Sequence, residues 1–143
     1  MAHEDCIFCK IINGDIPSAK VYEDDDVFAF LDISQVTKGH TLIIPKTHVK
    51  NIYEIPEQAA SNLFARVPKI ANAIKDAFRP EGINVLSNTG EAAGQSVFHL
   101  HLHLIPRYGK TDGFRPIWET HADDYTQEAL QSIAQNINEQ INK

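Results

Sequence analysis

A chain of 143 residues with 43% hydrophobic and 22% charged side chains is long enough for one packed core and has the composition of an ordinary globular domain. Its formal net charge of −6 argues against broad electrostatic binding to nucleic acid, and no apolar run approaches the roughly 20 residues a membrane helix needs. An acidic, polar start with no apolar leader after it, and only two cysteines, place the expected protein in the cytoplasm.

In chain order, residues 5–12 read as a short helix with Asp5 as N-cap and Asn13-Gly14 as its stop. Ala19–Glu23 and Val27–Leu31 are predicted strands joined by an acidic turn, and His40–Ile44 is a third that ends at Pro45. From about 57 to 78, Ala60, Leu63, Phe64, Val67, Ile70, Ala71, Ile74 and Phe78 recur at helical spacing, with Pro56 near the start. Pro68 lies inside that pattern and should kink or loosen the helix. Ile83–Ser87 is a fourth strand, and a glycine-bearing loop at 88–96 leads into a fifth. From about Thr126 a terminal helix sets Leu130, Ile133, Ala134, Ile137 and Ile141 on one face. The sum is one α+β domain over residues 1–143, built on a mostly antiparallel five-stranded sheet. Its core should span about 5–107, followed by an irregular segment and helix at 108–143.

The fifth strand carries the chemistry. His99, His101 and His103 alternate with Leu100, Leu102 and Leu104, so on a strand the imidazoles share one face about 6–7 Å apart. A leucine row facing the core fixes that register, since a one-residue slip would bury the histidines. Aligned imidazoles can ligate a metal, move protons or attack an electrophile. In the preceding loop Gly90 and Gly94 let main-chain N–H groups approach an anion, and Gln95 and Ser96 offer side-chain donors. No Gly-x-x-x-x-Gly-Lys-Ser/Thr loop or basic cluster is present, which suits a single α-phosphate better than a triphosphate. Cys6-x-x-Cys9 on a short helix puts both thiols on one side. Zinc ligation and two free thiols are both open, whereas a redox pair lacks its usual βαβ setting.

The run Asn-Thr-Gly-Glu-Ala-Ala-Gly-Gln-Ser-Val-Phe-His-Leu-His-Leu-His-Leu-Ile105 closely resembles the signature of the histidine triad (HIT) family of nucleotide hydrolases and transferases. So do Cys-Ile-Phe-Cys-Lys-Ile-Ile12, Phe-Leu-Asp-Ile-Ser34 and Gly-His-Thr-Leu-Ile-Ile-Pro-Lys-Thr-His48, and the resemblance covers nearly the whole chain, in the bacterial branch near the Hint-type nucleoside phosphoramidases. It implies an enzyme that cleaves nucleoside 5′-phosphoramidates or related nucleoside monophosphate esters through a covalent nucleotidyl adduct on the middle histidine, His101. His103 would contact the phosphate or assist the leaving group, and His99 and His40 complete the catalytic set. Asn88, Gln95, Ser96 and Val97 would surround the phosphate, and Asp32 would accept the ribose hydroxyls. The base would lie among Phe8, Ile11, Ile16, Phe30 and Ile33. Taken singly these five read as core, Asn88 as a turn residue, His40 as a strand-end histidine and His103 as one bonded to a backbone carbonyl. The resemblance further implies a purine nucleotide or nucleoside phosphoramidate ligand and a homodimer formed through the long helix and fourth strand. It also implies a structural zinc on Cys6, Cys9, His48 and His99, with no catalytic metal. Two rivals stand beside it. One is a metallohydrolase with the triad as ligands, for which the sequence offers no adjacent carboxylate; the other is a non-catalytic nucleotide-binding or regulatory scaffold.

Overall fold

The computed structural model describes residues 3–110, 112–141 and 143. Its elements are α1 (Ile7–Ile12), β1 (Lys20–Glu23), β2 (Val27–Leu31), β3 (Thr41–Pro45), α2 (Glu57–Ala65), α3 (Val67–Phe78), β4 (Gly82–Leu86), β5 (Leu102–Arg107) and α4 (Gln127–Ile141). The strands form one sheet in the order β1-β2-β3-β5-β4 with every neighbouring pair antiparallel, the α+β architecture expected.

The β1–β2 turn is made by one carboxylate. Asp24 Oδ1 accepts from the N–H groups of Asp26 (2.8 Å) and Val27 (2.9 Å), and Oδ2 accepts from Tyr22 and Arg66. The expected single helix over 57–78 is instead two. Pro68 has no N–H for the carbonyl four residues back, so α2 stops at Ala65, and α3 restarts with proline in its first turn, where the donor is not needed.

Alternation along the strands sends side chains to two apolar layers. Val27, Ala29, Ile43, Leu100, Leu102 and Leu104 pack against Leu63 of α2 and Ile70 and Ile74 of α3. Phe28, Phe30, Leu42 and Ile44 point the other way and pack against Phe8 and Ile11 of α1. This second layer corrects the expectation of an open histidine face. His99 is fully buried and His101 is 8% exposed, because α1 lies over them. Both ring nitrogens of His99 and the Nδ1 of His101 find partners, which offsets the cost of burying them. The histidine strand is also shorter than its pattern predicts. Pro45 has no N–H to extend the β3 ladder and its carbonyl accepts from His99 Nε2, so Leu100 N–H donates to the Val49 carbonyl (2.8 Å) and β5 begins only at Leu102.

After β5, Arg107 bonds Asp112, Asn84 and the Phe114 carbonyl, fastening the start of the C-terminal segment. The expected apolar face of α4 exists, but Leu130, Ile133, Ile137 and Ile141 are all exposed within this chain. Among the described residues, no helix is long and apolar enough to cross a membrane.

Candidate active site

The loop between β4 and β5 is pinned by Gln95. Its Oε1 accepts from Gly90 N–H (2.9 Å), and its Nε2 donates to the carbonyls of Lys50 (2.8 Å) and Val97 (3.1 Å). Gln95 is buried and its amide is fully committed to main chain, so it shapes the loop instead of offering the phosphate a side-chain donor. Gly90 and Gly94 take φ of 88° and 95°, a backbone state that other residues rarely adopt, and Asn88 Nδ2 reaches the Gly94 carbonyl at 3.4 Å.

Main-chain groups assign the imidazole protons. A carbonyl can only accept, so the contact of His101 Nδ1 with His99 O (2.8 Å) puts the proton on Nδ1 and leaves the Nε2 lone pair free. Val36 N–H donates to His40 Nδ1 (3.3 Å), so the His40 proton sits on Nε2, from which it is given to His103 Nδ1 at 2.9 Å. His103 then presents an Nε2–H. Burial lowers His101 below the usual imidazole range, against the opposing hydrogen bond to His99 O and the charge of Asp32. His103 is pushed down to about 4 by burial and then by the neighbouring His101 and His40 rings. Both are neutral at pH 7, one with a bare nitrogen and one with a donor. Phe8 meets His101 edge-on, with ring centroids 5.1 Å apart.

A cavity of about 450 Å³ joins these parts. His101, His103, Ser96, Val97 and Asn88 line it together with Phe8, Ile11, Ile16, Phe30 and Ile33 and with the partly exposed Asp32. The expected site residues thus come together around one space, except that Gln95, His40 and His99 stand behind the wall. Ile33 departs from its core reading, being 99% exposed. Asp32 Oδ1 accepts from Ser34 N–H (2.8 Å), and Oδ2 lies 3.6 Å from His40 Nε2. Ser34 and Leu42 also line the cavity and were not marked from the sequence. A serine two residues after an aspartate is a common turn pattern, which is the only local signal it carries.

Behind the wall, Cys6, Cys9, His48 and His99 place their donor atoms within 4.8 Å of one another. His99 Nε2 gives its proton to the Pro45 carbonyl (2.8 Å), which turns the Nδ1 lone pair towards Cys6 Sγ at 3.4 Å and Cys9 Sγ at 3.6 Å. His48 Nδ1 lies 3.4 Å from Cys9 Sγ. A tetrahedral zinc with Zn–S about 2.3 Å and Zn–N about 2.0 Å requires sulfur–nitrogen edges of about 3.5 Å, so this donor set fits that ion. Asp32, His40 and His103 form a second cluster of possible ligand atoms, supplying the carboxylate that the sequence did not place there. Its two imidazoles, however, are turned on each other by the His40–His103 hydrogen bond. His99, His101 and His103 do not converge as one ligand set, since His99 faces the thiols and His101 Nδ1 is held by a carbonyl.

The HIT domain family matches residues 13–110 of the chain. Protein hit of Bacillus subtilis is 67% identical over 134 residues, which is 94% of this chain and 92% of that protein. Adenosine 5′-monophosphoramidase HNT1 of Candida albicans is 37% identical over 146 residues, covering 99% of this chain and 95% of that one. Among solved structures, the crystal structure of a HIT family member from Bacillus subtilis superposes with a TM-score of 0.93 at 66% identity, covering 95% of this chain and 96% of that chain.

Proposed function

The chain belongs to the HIT domain family, and on that premise we propose that it hydrolyses nucleoside 5′-phosphoramidates or related nucleoside monophosphate esters through a covalent nucleotidyl adduct on His101. The observation that carries this reading is the His101 Nδ1–H bond to the His99 carbonyl, which leaves Nε2 as a bare nitrogen in a neutral ring on the cavity wall. The attack forms an Nε2–P bond as the bond to the leaving group breaks, and a proton from solvent completes the departing amine or alcohol. Water then cleaves the Nε2–P bond, returns the lone pair to nitrogen and releases the nucleoside monophosphate.

The surrounding groups support the assignment. The His103 Nε2–H and Ser96 hydroxyl are donors beside the nucleophile, placed for the charge that develops on phosphoryl oxygens or on the leaving atom. Asp32 on the cavity wall suits ribose hydroxyls, and the apolar side chains of the lining suit a purine face. The phosphoramidase named among the relatives performs chemistry of this class. A metallohydrolase built on the triad is disfavoured by the divergent directions of its three imidazoles.

In the same reading Cys6, Cys9, His48 and His99 hold one zinc, a closed site whose chemistry is structural: it ties α1 to the loop after β3 and to the start of the histidine segment. We also take the working unit to be a cytoplasmic homodimer joined along α3 and β4. Mass spectrometry of protein mixed with an adenosine phosphoramidate and quenched without acid tests the mechanism. The reading expects a mass increase of one adenylyl group, on the peptide containing His101 and absent from His101→Ala. Turnover with no such adduct at any quench time removes the covalent step.

A further inference from the structure

The segment from Asp32 to His40 is a closed loop whose mouth is filled by a single side-chain amide. Asp32 N–H donates to the His40 carbonyl (3.1 Å), and the Gln35 amide serves both ends of the loop together. Gln35 Nε2 donates to the carbonyls of Asp32 (2.6 Å) and His40 (2.7 Å), while Oε1 accepts from the N–H groups of Gly39 (2.9 Å) and His40 (3.2 Å). An exposed glutamine ordinarily keeps its rotamer freedom and bonds to water; four main-chain bonds give that freedom up for geometry. Elsewhere the loop is anchored by Thr37 Oγ1 to the Pro106 carbonyl (2.6 Å).

Two side chains on this loop make competing demands. His40 Nε2 has one proton and two acceptors in range, His103 Nδ1 at 2.9 Å and Asp32 Oδ2 at 3.6 Å. A carboxylate is the stronger acceptor at equal distance, so the proton goes to His103 only while the loop keeps Asp32 further away. We propose that Gln35 is a positioning residue: by clamping the two ends of the Asp32–His40 loop it directs the His40 proton to His103, which keeps His103 an Nε2–H donor to the leaving group and leaves Asp32 free for ribose. The inference rests on the hydrolase reading above. Without the clamp, His40 turns its proton to Asp32, His103 Nδ1 loses its donor, and the His103 tautomer is no longer fixed. A hydrogen bond on the departing atom matters more as that atom develops more charge, so the defect grows as the leaving group becomes poorer.

The test compares the intact full-length protein with Gln35→Ala on an alkylamine phosphoramidate of adenosine and on the 4-nitrophenyl ester of AMP, whose leaving group needs no donor. The expected result is a kcat lower by about tenfold or more on the alkylamide but within about threefold on the ester. Gln35→Glu, which keeps the acceptor but sets a charge against two carbonyls, should show the same split. Equal losses on the two substrates, or no loss on either, overturn the proposal. Should both variants melt early, imidazole nitrogen NMR of Gln35→Ala below its melting temperature, beside the unsubstituted protein, decides: an Nδ1-protonated population of His103 that appears only in the variant upholds the proposal, and a His103 whose Nδ1 stays unprotonated as in the parent overturns it. An unsubstituted protein inactive on both substrates would count against the hydrolase reading, and the NMR arm would still decide the role of Gln35.

Discussion

In the proposed mechanism a single carbonyl, that of His99, separates a nucleophile at His101 from an ordinary buried histidine. The ring is held by Phe8 on one side and by that hydrogen bond on the other, so His101→Ala should remove the reaction and little else. We expect turnover to fall by a factor of about a thousand or more, since the covalent route is lost while ribose and base contacts remain. Steady-state kinetics with titration of a nucleoside monophosphate checks both halves, and turnover within about tenfold of the parent would refute the assignment. His103 yields a pH prediction. Its folded pKa, about 4, lies below the unfolded value near 6.5, so between those values the unfolded chain binds more protons. The contribution of His103 is therefore fully present above about pH 6.5 and is lost as pH falls towards 4. Melting temperature should drop across that window, and His103→Gln should make the drop shallower; an unchanged slope would mean that other groups dominate it.

At the scale of elements, legibility depended on whether the deciding force was local. The alternation and apolar runs of β2 and β3 and the helical stripe of α3 are local, and the elements lie where those patterns put them. The place where the long helix breaks depends on which carbonyl loses its donor at Pro68, and the start of β5 depends on a partner strand ending in Pro45. Neither is visible in the segment that changes. The site divides in the same way. The imidazoles announce themselves by residue type and spacing, and Asp32 through the family resemblance. That Gln95 faces main chain and not ligand, and that α1 buries the histidine face, are facts of long-range packing. Six residues make a marginal helix by themselves, so α1 depends on what holds it: Phe8, Ile11 and, in our reading, the zinc. Cys9→Ser should then carry well below one equivalent of zinc and melt at lower temperature, because site closure contributes to folding. A Cys9→Ser protein matching its parent in both respects would dismiss the metal. Brief EDTA treatment should leave phosphoramidate hydrolysis unchanged, because in the proposed mechanism donors from the chain, and no metal, serve the phosphate. Prompt loss of activity, restored by adding metal to still-folded protein, would favour a catalytic ion instead.

At the scale of the whole molecule, an edge strand and an exposed apolar helix face stand out among the described residues. β4 is an edge strand, with Val85 about half exposed on it, and α4 buries none of its residues. A 15-residue helix is marginal in water without tertiary packing, and a line of Leu130, Ile133, Ile137 and Ile141 open to solvent adds an unfavourable apolar surface. In the proposed dimer, a second copy docked along α3 and β4 would cover that edge. The intact protein should therefore sediment as a dimer of 16.0 kDa chains, and Val85→Lys, which places a charge in the middle of that edge, should shift it towards monomer. If α4 draws its stability from the assembly, the same substitution lowers helical circular dichroism while the sheet and the cavity persist. A parent that sediments as a monomer would refute the dimer. A dimer indifferent to Val85→Lys would move the contact away from β4, and a monomer with undiminished helicity would show that α4 stands without a partner.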